Sequence, residues 1–263
     1  MDDMKFPNVK EVFGTVSKEY AEFRPRYPSQ LFSFLSSLTP HHHLAWDVGT
    51  GNGQAAVELS KYYARVVGTD TSEGQIQHAE RRPNISYAVT PPSITDQQLD
   101  SIFGPESSVD LVTAATAVHY FDLDKFYGQV KRVLKKPGGV IAVWAYWKPR
   151  VDPAVDAVYE RFFSRTYPLF HPAAKVVLEE YESLPFPFTA VEGIKLEIEE
   201  QRNFDQYLGY LGTGSGLVGR EDILEEFRAD FEAAWGAEVH VTKTVKFPVF
   251  LKVGRFEKKG KFC

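Results

Sequence analysis

The stretch Asp47-Val48-Gly49-Thr50-Gly51-Asn52-Gly53 decides how this chain is read. The apolar run Leu44-Ala45-Trp46 leads into it, and an amphipathic stretch reaching about Tyr63 follows it. A second strand-like run, Arg65-Val66-Val67-Gly68, then ends at Asp70. Strand, glycine turn, helix, strand and acid, in that order, are the layout of a pocket for an adenosine-bearing small molecule. Each glycine lets the backbone pass close to a ligand or adopt positive φ. The N–H groups at the start of the next helix attract an anionic group.

The turn reads G-x-G-x-G, and Gln54 stands where a dinucleotide fold places its third glycine. It lacks the Lys-Ser/Thr pair of a P-loop, which disfavours a triphosphate. Asp47 at the mouth of the turn would repel a pyrophosphate and orient a cationic ligand, such as one with an ammonium or sulfonium group. Asp70, ending the second strand, can accept two hydrogen bonds from ribose hydroxyls.

Outward from the turn, strands and helices alternate from 44 to 147. Strands are predicted at Leu44–Val48, Val66–Thr69, Ile85–Val89, Val109–Ala114 and Val140–Ala145. Helices are predicted from Gly53 to Tyr63, Glu73 to Ala79 and Leu123 to Leu134. This rhythm argues for a parallel sheet covered on both faces. Upstream, residues 8–28 read as a helix ended by Arg24-Pro25-Arg26-Tyr27-Pro28, and Ser29 starts another through Leu38. Downstream, prolines from Pro149 to Pro187 punctuate short helical pieces rich in Phe and Tyr. A strand-like Ile194–Ile198 and the stretch Phe204–Leu211 follow. An amphipathic helix ends at Trp235, and Val239 to Val253 form a long period-two strand. The expected fold is α/β, a Rossmann-like, mostly parallel seven-stranded sheet with an N-terminal helical cap and an inserted lid. One domain spans 1–263: cap 1–30, cofactor-binding core 31–147, lid 148–220, and a closing helix and strand 221–263.

A net charge of −5 gives no reason to expect nucleic acid. No apolar run approaches ~20 residues, so a membrane span is not expected. The start lacks a secretory pattern. Cys263, the single cysteine and the last residue, rules out intramolecular disulfides and a cysteine-built metal site, and suits a reducing compartment such as the cytoplasm. His41-His42-His43 reads as a polar loop; no carboxylate cluster accompanies it, and no metal is expected.

With these motifs in place the chain resembles a class I S-adenosylmethionine-dependent methyltransferase. The resemblance is carried by Asp47 to Gly53, Asp70, Ser108-Val109-Asp110-Leu111-Val112 and Leu134-Lys135-Lys136-Pro137-Gly138-Gly139. More narrowly, it resembles the trans-aconitate methyltransferase-like group, including plant embryo-abundant proteins. Tyr20 to Pro28, Ala117-Val118-His119-Tyr120-Phe121-Asp122 and Tyr210-Leu211-Gly212-Thr213-Gly214-Ser215 match that group. The resemblance implies S-adenosyl-L-methionine as cofactor. Asp47, Gly49, Thr50, Gly51, Asn52 and Gly53 would serve its methionine portion and Asp70 its ribose. Thr71 and Ser72 would sit at the adenine edge, Val89 and Thr90 beside the adenine, and Ala115 and Thr116 close to the sulfonium. The chain departs from the group at Pro91-Pro92-Ser93, where an acid often stands, at Thr116, where Gln is common, and at Gly212, which replaces a frequent basic residue.

Three residues are candidates for the chemistry. Arg24 could hold the cofactor's carboxylate or a substrate acid, as could Arg26 beside it. Tyr20 lies one helical turn before Arg24. His119, past the fourth strand, could orient the acceptor or accept a proton. Trp144, Tyr146 and Trp147 offer an aromatic wall, and Gly212 to Gly216 a turn on the substrate side. The expected reaction is methyl transfer to a small molecule, with a carboxylate oxygen preferred. Transfer to a hydroxyl, nitrogen or carbon with His119 as base, or cofactor binding without efficient catalysis, are the alternatives. The protein is expected to act as a monomer or homodimer.

Overall fold

A computed structural model describes residues 22–236 and 238–256. Most of the expected helix within 8–28, with Tyr20, and the terminal Cys263 lie outside these residues. Five parallel strands form the centre: β1 (Leu44–Val48), β2 (Arg65–Asp70), β3 (Ile85–Val89), β4 (Leu111–Ala115) and β5 (Val140–Tyr146). They lie in the order β3-β2-β1-β4-β5. Antiparallel to β5 runs β8 (Lys243–Arg255), which carries β6 (Thr189–Val191) and β7 (Leu196–Arg202) on its far edge. Among the described residues the sheet holds eight strands, one more than the sequence suggests. β8 is long enough to pair twice: β6 meets Val253–Arg255 and β7 meets Lys243–Val249, with Glu192-Gly193-Ile194-Lys195 between them.

The apolar runs exist because both faces are covered. In β5, Val140, Ala142, Trp144 and Tyr146 join the core beneath α1 (Ser29–Ser37) and α2 (Gln54–Leu59). Ile141, Val143 and Ala145 join the opposite core with Phe126 and Val130 of α5 (Leu123–Val133). The short α3 (Glu73–Gln77) follows β2. α4 (Asp96–Phe103), not anticipated, starts with a capping box in which Thr95 and Gln98 satisfy each other's backbone N–H. The proline-rich region holds a continuous helix, α6 (Pro153–Thr166), rather than short pieces throughout. Asp152 caps it and Pro153 occupies its first turn, where a missing N–H costs nothing. One-turn helices follow at Tyr167–Leu169 and Pro172–Ala174, then α7 (Lys175–Leu178), α8 (Phe204–Gly212) and α9 (Glu221–Trp235). None of the described helices is long and apolar enough to cross a membrane.

Buried Asp110, just ahead of β4, sets where β1 begins. Its Oδ2 accepts from the N–H groups of His43 and Leu44, each at 2.9 Å, and its Oδ1 from Lys135 Nζ at 2.6 Å. Strand order reverses between β1 and β4, and a crevice opens there at the carboxyl ends of the strands, the usual ligand position in such sheets.

Candidate active site

The crevice is a cleft of about 760 Å³. Its floor is the turn after β1, where Gly49, Gly51 and Gly53 have φ of +65°, +56° and +85°. L side chains rarely adopt that region, so glycine is required here. A Cβ on Gly49 would lie 2.7 Å from Ala117 Cβ, and one on Gly53 2.2 Å from the Tyr87 hydroxyl. On Gly51 it would approach only Gln75 Oε1, at 3.7 Å. Gly49 and Gly53 are thus held by packing, while Gly51 faces open space.

Asp47 and Gly53 do not border the cleft. Asp47 is fully buried, and accepts from the hydroxyls of Thr50 at 2.6 Å and Thr113 at 2.7 Å. The alternation of β1 explains this: Asp47 points to the same face as Ala45, under α2. Its place at the mouth of the turn, expected from the sequence, is corrected accordingly; it ties the turn to β4 from beneath. Burial pushes its carboxyl up to about 6, against the lowering effect of the two threonines.

Asp70 is aimed by the backbone. Its Oδ2 accepts from Gly51 N–H and its Oδ1 from Ser72 N–H, both at 2.8 Å. A carboxylate oxygen can accept more than one hydrogen bond. Thr71, Ser72, Val89 and Thr90 border the same side, and Thr50 and Asn52 complete the turn. Ala115 and Thr116 close the opposite wall at the end of β4. Thr116 has φ +53°, a strained value for a β-branched residue. Its N–H donates to Trp144 O at 2.7 Å, and its hydroxyl lies 3.0 Å from that of Tyr27.

A second cavity, of about 80 Å³, adjoins the cleft and shares Thr116, His119, Tyr120 and Tyr146 with it. Arg24 borders this smaller space; it donates to the Tyr146 hydroxyl at 3.2 Å and to Thr213 O at 2.9 Å. Arg26 is exposed, borders neither cavity, and gives its backbone N–H to Glu200. His119 sits on the one-turn helix Val118–Tyr120, with Nδ1 3.0 Å from the Tyr181 hydroxyl. Burial, and then the nearby His171, lower His119 to about 3. Burial raises the Tyr181 phenol well above its ordinary value, so it keeps its proton. Of the expected aromatic wall, Trp144 is buried core, Tyr146 borders both cavities, and Trp147 borders the smaller one. His41 and His43 stack on each other, while His42 Nε2 lies 2.8 Å from Ser36 O. Among the described residues no group of His, Cys, Asp and Glu could hold a metal ion.

The sequence reading passed over Tyr27 and His171, both on the cleft. Tyr27 stands inside the Arg-Pro-Arg-Tyr-Pro break, whose only visible signal is the end of a helix. His171 has no local signal; the fold brings it beside Tyr120, at 5.9 Å between ring centroids.

The cleft has the volume for an S-adenosylmethionine-sized ligand, Gly49, Gly51 and Asp70 line it, and there is room above Gly51. Residues 46–143 match the family described as "Methyltransferase domain". A Dictyostelium discoideum protein provisionally named a methyltransferase is 31% identical, over 93% of this chain and 95% of its own length. A Saccharomyces cerevisiae protein provisionally named an S-adenosylmethionine-dependent methyltransferase is 30% identical over 57% of this chain, which spans 53% of it. A solved structure from Anaeromyxobacter dehalogenans, described provisionally as a type II methyltransferase, superposes with a TM-score of 0.78 at 40% identity, covering 89% of this chain and 98% of that one. The chain belongs to the class I S-adenosylmethionine-dependent methyltransferases.

Proposed function

We propose that the methyl acceptor is a carboxylate oxygen of a small molecule. The observation that carries this reading is the setting of His119, which borders both cavities with its Nδ1 3.0 Å from the Tyr181 hydroxyl and which burial keeps uncharged. Held near 3, its imidazole is a weak base, poorly matched to removing a proton from a hydroxyl or ammonium group. A carboxylate is already ionised near neutral pH and needs no base. Bound S-adenosylmethionine supplies a methyl group on a positively charged sulfur. The protein's part is to align the acceptor and exclude water.

The lining supports a role for each residue. Gly49, Thr50, Gly51 and Asn52 receive the methionine portion, Asp70 holds the ribose, and Thr71, Ser72, Val89 and Thr90 surround the adenine. Ala115 and Thr116 border the reacting centre. Asp47 and Gly53 act from beneath, by shaping the turn. Arg24, bonded to the Tyr146 hydroxyl that borders both cavities, supplies positive charge to the smaller one. Donation from the Tyr181 hydroxyl to Nδ1, 3.0 Å away, would leave the proton of His119 on Nε2, as a donor that orients the acceptor. The Ala117 to Asp122 motif at the junction supports the narrower trans-aconitate methyltransferase-like grouping, and the lone terminal cysteine supports a cytoplasmic setting.

Product analysis tests the reading. Methyl-labelled cofactor and a panel of acids should give alkali-labile methyl esters; label found only on nitrogen or carbon would falsify it. A general base contributes roughly 10²–10⁴-fold, so His119→Gln, which keeps a donor, should stay within about tenfold of the parent kcat. The pH profile of kcat/KM should show no histidine limb near 6.5 and should fall only as the acceptor protonates, near ~4. A limb near 6.5 that His119→Gln removes would restore the base mechanism.

A further inference from the structure

We propose that Gln129 reads the 6-amino group of the cofactor's adenine, in place of an acid after β3. The inference is independent of the methyl acceptor and rests on the adenine placement beside Thr71, Ser72, Val89 and Thr90. The loop that leaves β3 cannot read an adenine edge through a carboxylate, since Thr90-Pro91-Pro92-Ser93 holds none, and its two prolines carry no N–H. Pro91, Pro92 and Ile94 nonetheless border the cleft. A hydrogen bond crosses to this loop from α5: Gln129 Nε2 donates to Ile94 O at 2.7 Å. A carbonyl only accepts, so the amide nitrogen faces the loop and Oε1 is the end turned from it. Gln129 is half-buried and borders the cleft, and among the described residues its Oε1 has no hydrogen-bond partner.

The surroundings suit a purine. Asp122, Phe126 and Gln129 fall on one face of α5, counting its N-cap, at i, i+4 and i+7, and all three border the cleft. Phe126 and Ile94 are buried in the same core as Trp46, which also borders the cleft, so a flat ring meets an apolar wall there. The rival acceptors are engaged or stand elsewhere. Asp122 is exposed, with Oδ1 3.2 Å from the Lys125 N–H and Oδ2 2.9 Å from Lys125 Nζ. Gln75 Oε1 lies over Gly51, at the glycine turn. Adenine donates from its 6-amino group, whereas hypoxanthine carries an oxo group there, so an acceptor would face an acceptor. A base that covers Oε1 without donating to it leaves that oxygen dry and unpaired, which weakens binding by about tenfold or more. One neutral amide oxygen, held in direction by the Ile94 carbonyl, therefore selects the base.

Calorimetry on the full chain tests this with S-adenosylhomocysteine and S-inosylhomocysteine, in the absence of any methyl acceptor. The parent should prefer the adenine ligand by at least about tenfold. Gln129→Leu should bring the two affinities within about threefold of each other, by weakening the adenine ligand. Gln129→Lys keeps a donor for Ile94 O and removes the acceptor, so it should move the preference further toward the inosine ligand. If Gln129→Leu lacks a cooperative thermal transition, Gln129→Lys alone decides. A purely structural role for the Gln129–Ile94 bond would lower both affinities together and keep their ratio; that result overturns the proposal, as does a parent that binds both ligands equally. A ratio that survives in both variants and collapses in Asp122→Ser assigns the amino group to that carboxylate and overturns it too. Thr90→Trp separates the proposal from the placement beneath it: by filling the adenine end it should weaken both ligands by about tenfold or more. Unchanged affinities in a folded Thr90→Trp overturn the adenine placement itself, while a loss there with an unmoved ratio in the Gln129 variants overturns the role of Gln129 alone.

Discussion

Asp47 buries a carboxylate that holds the glycine turn through two threonine hydroxyls. Burial raises it from 3.8 to about 6. A raised acid binds its proton more tightly in the folded chain than in the unfolded one. Its contribution is therefore most favourable below ~4 and is lost as pH rises through about 6. The swing is of the order of 2–3 kcal/mol. Asp47→Asn has no such titration. Urea unfolding of both proteins without cofactor, at pH 4.5 and 7.5, should show the stability difference moving toward the asparagine variant by about 2 kcal/mol at the higher pH. An unchanged difference would show that Asp47 is not the buried titrating group. At this scale the sequence exposed some residues and hid others. The glycines and Asp70 announce themselves because few residue types meet their backbone and hydrogen-bonding demands. The direction of Asp47 depends on strand parity rather than on its place in the motif. Tyr27 and Tyr181 reach the site across more than sixty residues from their hydroxyl partners, Thr116 and His119, and no local pattern encodes that approach.

Among the elements, α6 shows how one capping residue reverses the reading of a proline. Asp152 accepts from Ala154 N–H at 3.0 Å and Val155 N–H at 3.1 Å, and pairs with Lys243 Nζ of β8 at 2.6 Å. Proline then starts the helix instead of breaking it, and the helix places Phe163 at the smaller cavity. Replacing such a cap with alanine costs about 0.5–2 kcal/mol, and Asp152→Ala should lose stability in that range. Lys243→Ala should lose less, because its partner is partly exposed and keeps its cap bonds. Urea midpoints of the two variants and the double variant check this; a greater loss in Lys243→Ala would make the ion pair, not the cap, the anchor of α6. The central strands were legible because their apolar runs are bounded by turn residues. α4 was not, since only Leu99 and Phe103 of its residues are buried. β6 is three residues long with two of them exposed, and it exists only because β8 extends far enough to pair with it.

For the whole molecule, the cleft joins turns from β1, β2 and β4 to the region after β5, so a ligand seated there couples elements that are separate in sequence. Ligand that binds only the folded state stabilises it by about 2.7 kcal/mol at a hundredfold excess over Kd. For a chain of this size that is a rise in Tm of about 5–10 °C. Gly51→Arg separates binding from folding: a Cβ there meets only Gln75 Oε1 at 3.7 Å, so the arginine projects into the cleft rather than into the core. Its positive φ costs about 1–3 kcal/mol in a non-glycine residue, enough to lower Tm by several degrees without unfolding the chain. Gly53→Ala is the opposite case, since its Cβ would lie 2.2 Å from the Tyr87 hydroxyl and strike the packed side of the turn. Thermal unfolding with and without S-adenosylmethionine should show the full shift for the parent, none for a folded Gly51→Arg, and a residual shift from a lower baseline for Gly53→Ala. A cofactor-dependent shift surviving in Gly51→Arg would place the ligand away from the glycine turn, and the roles assigned around the cleft would fall with it.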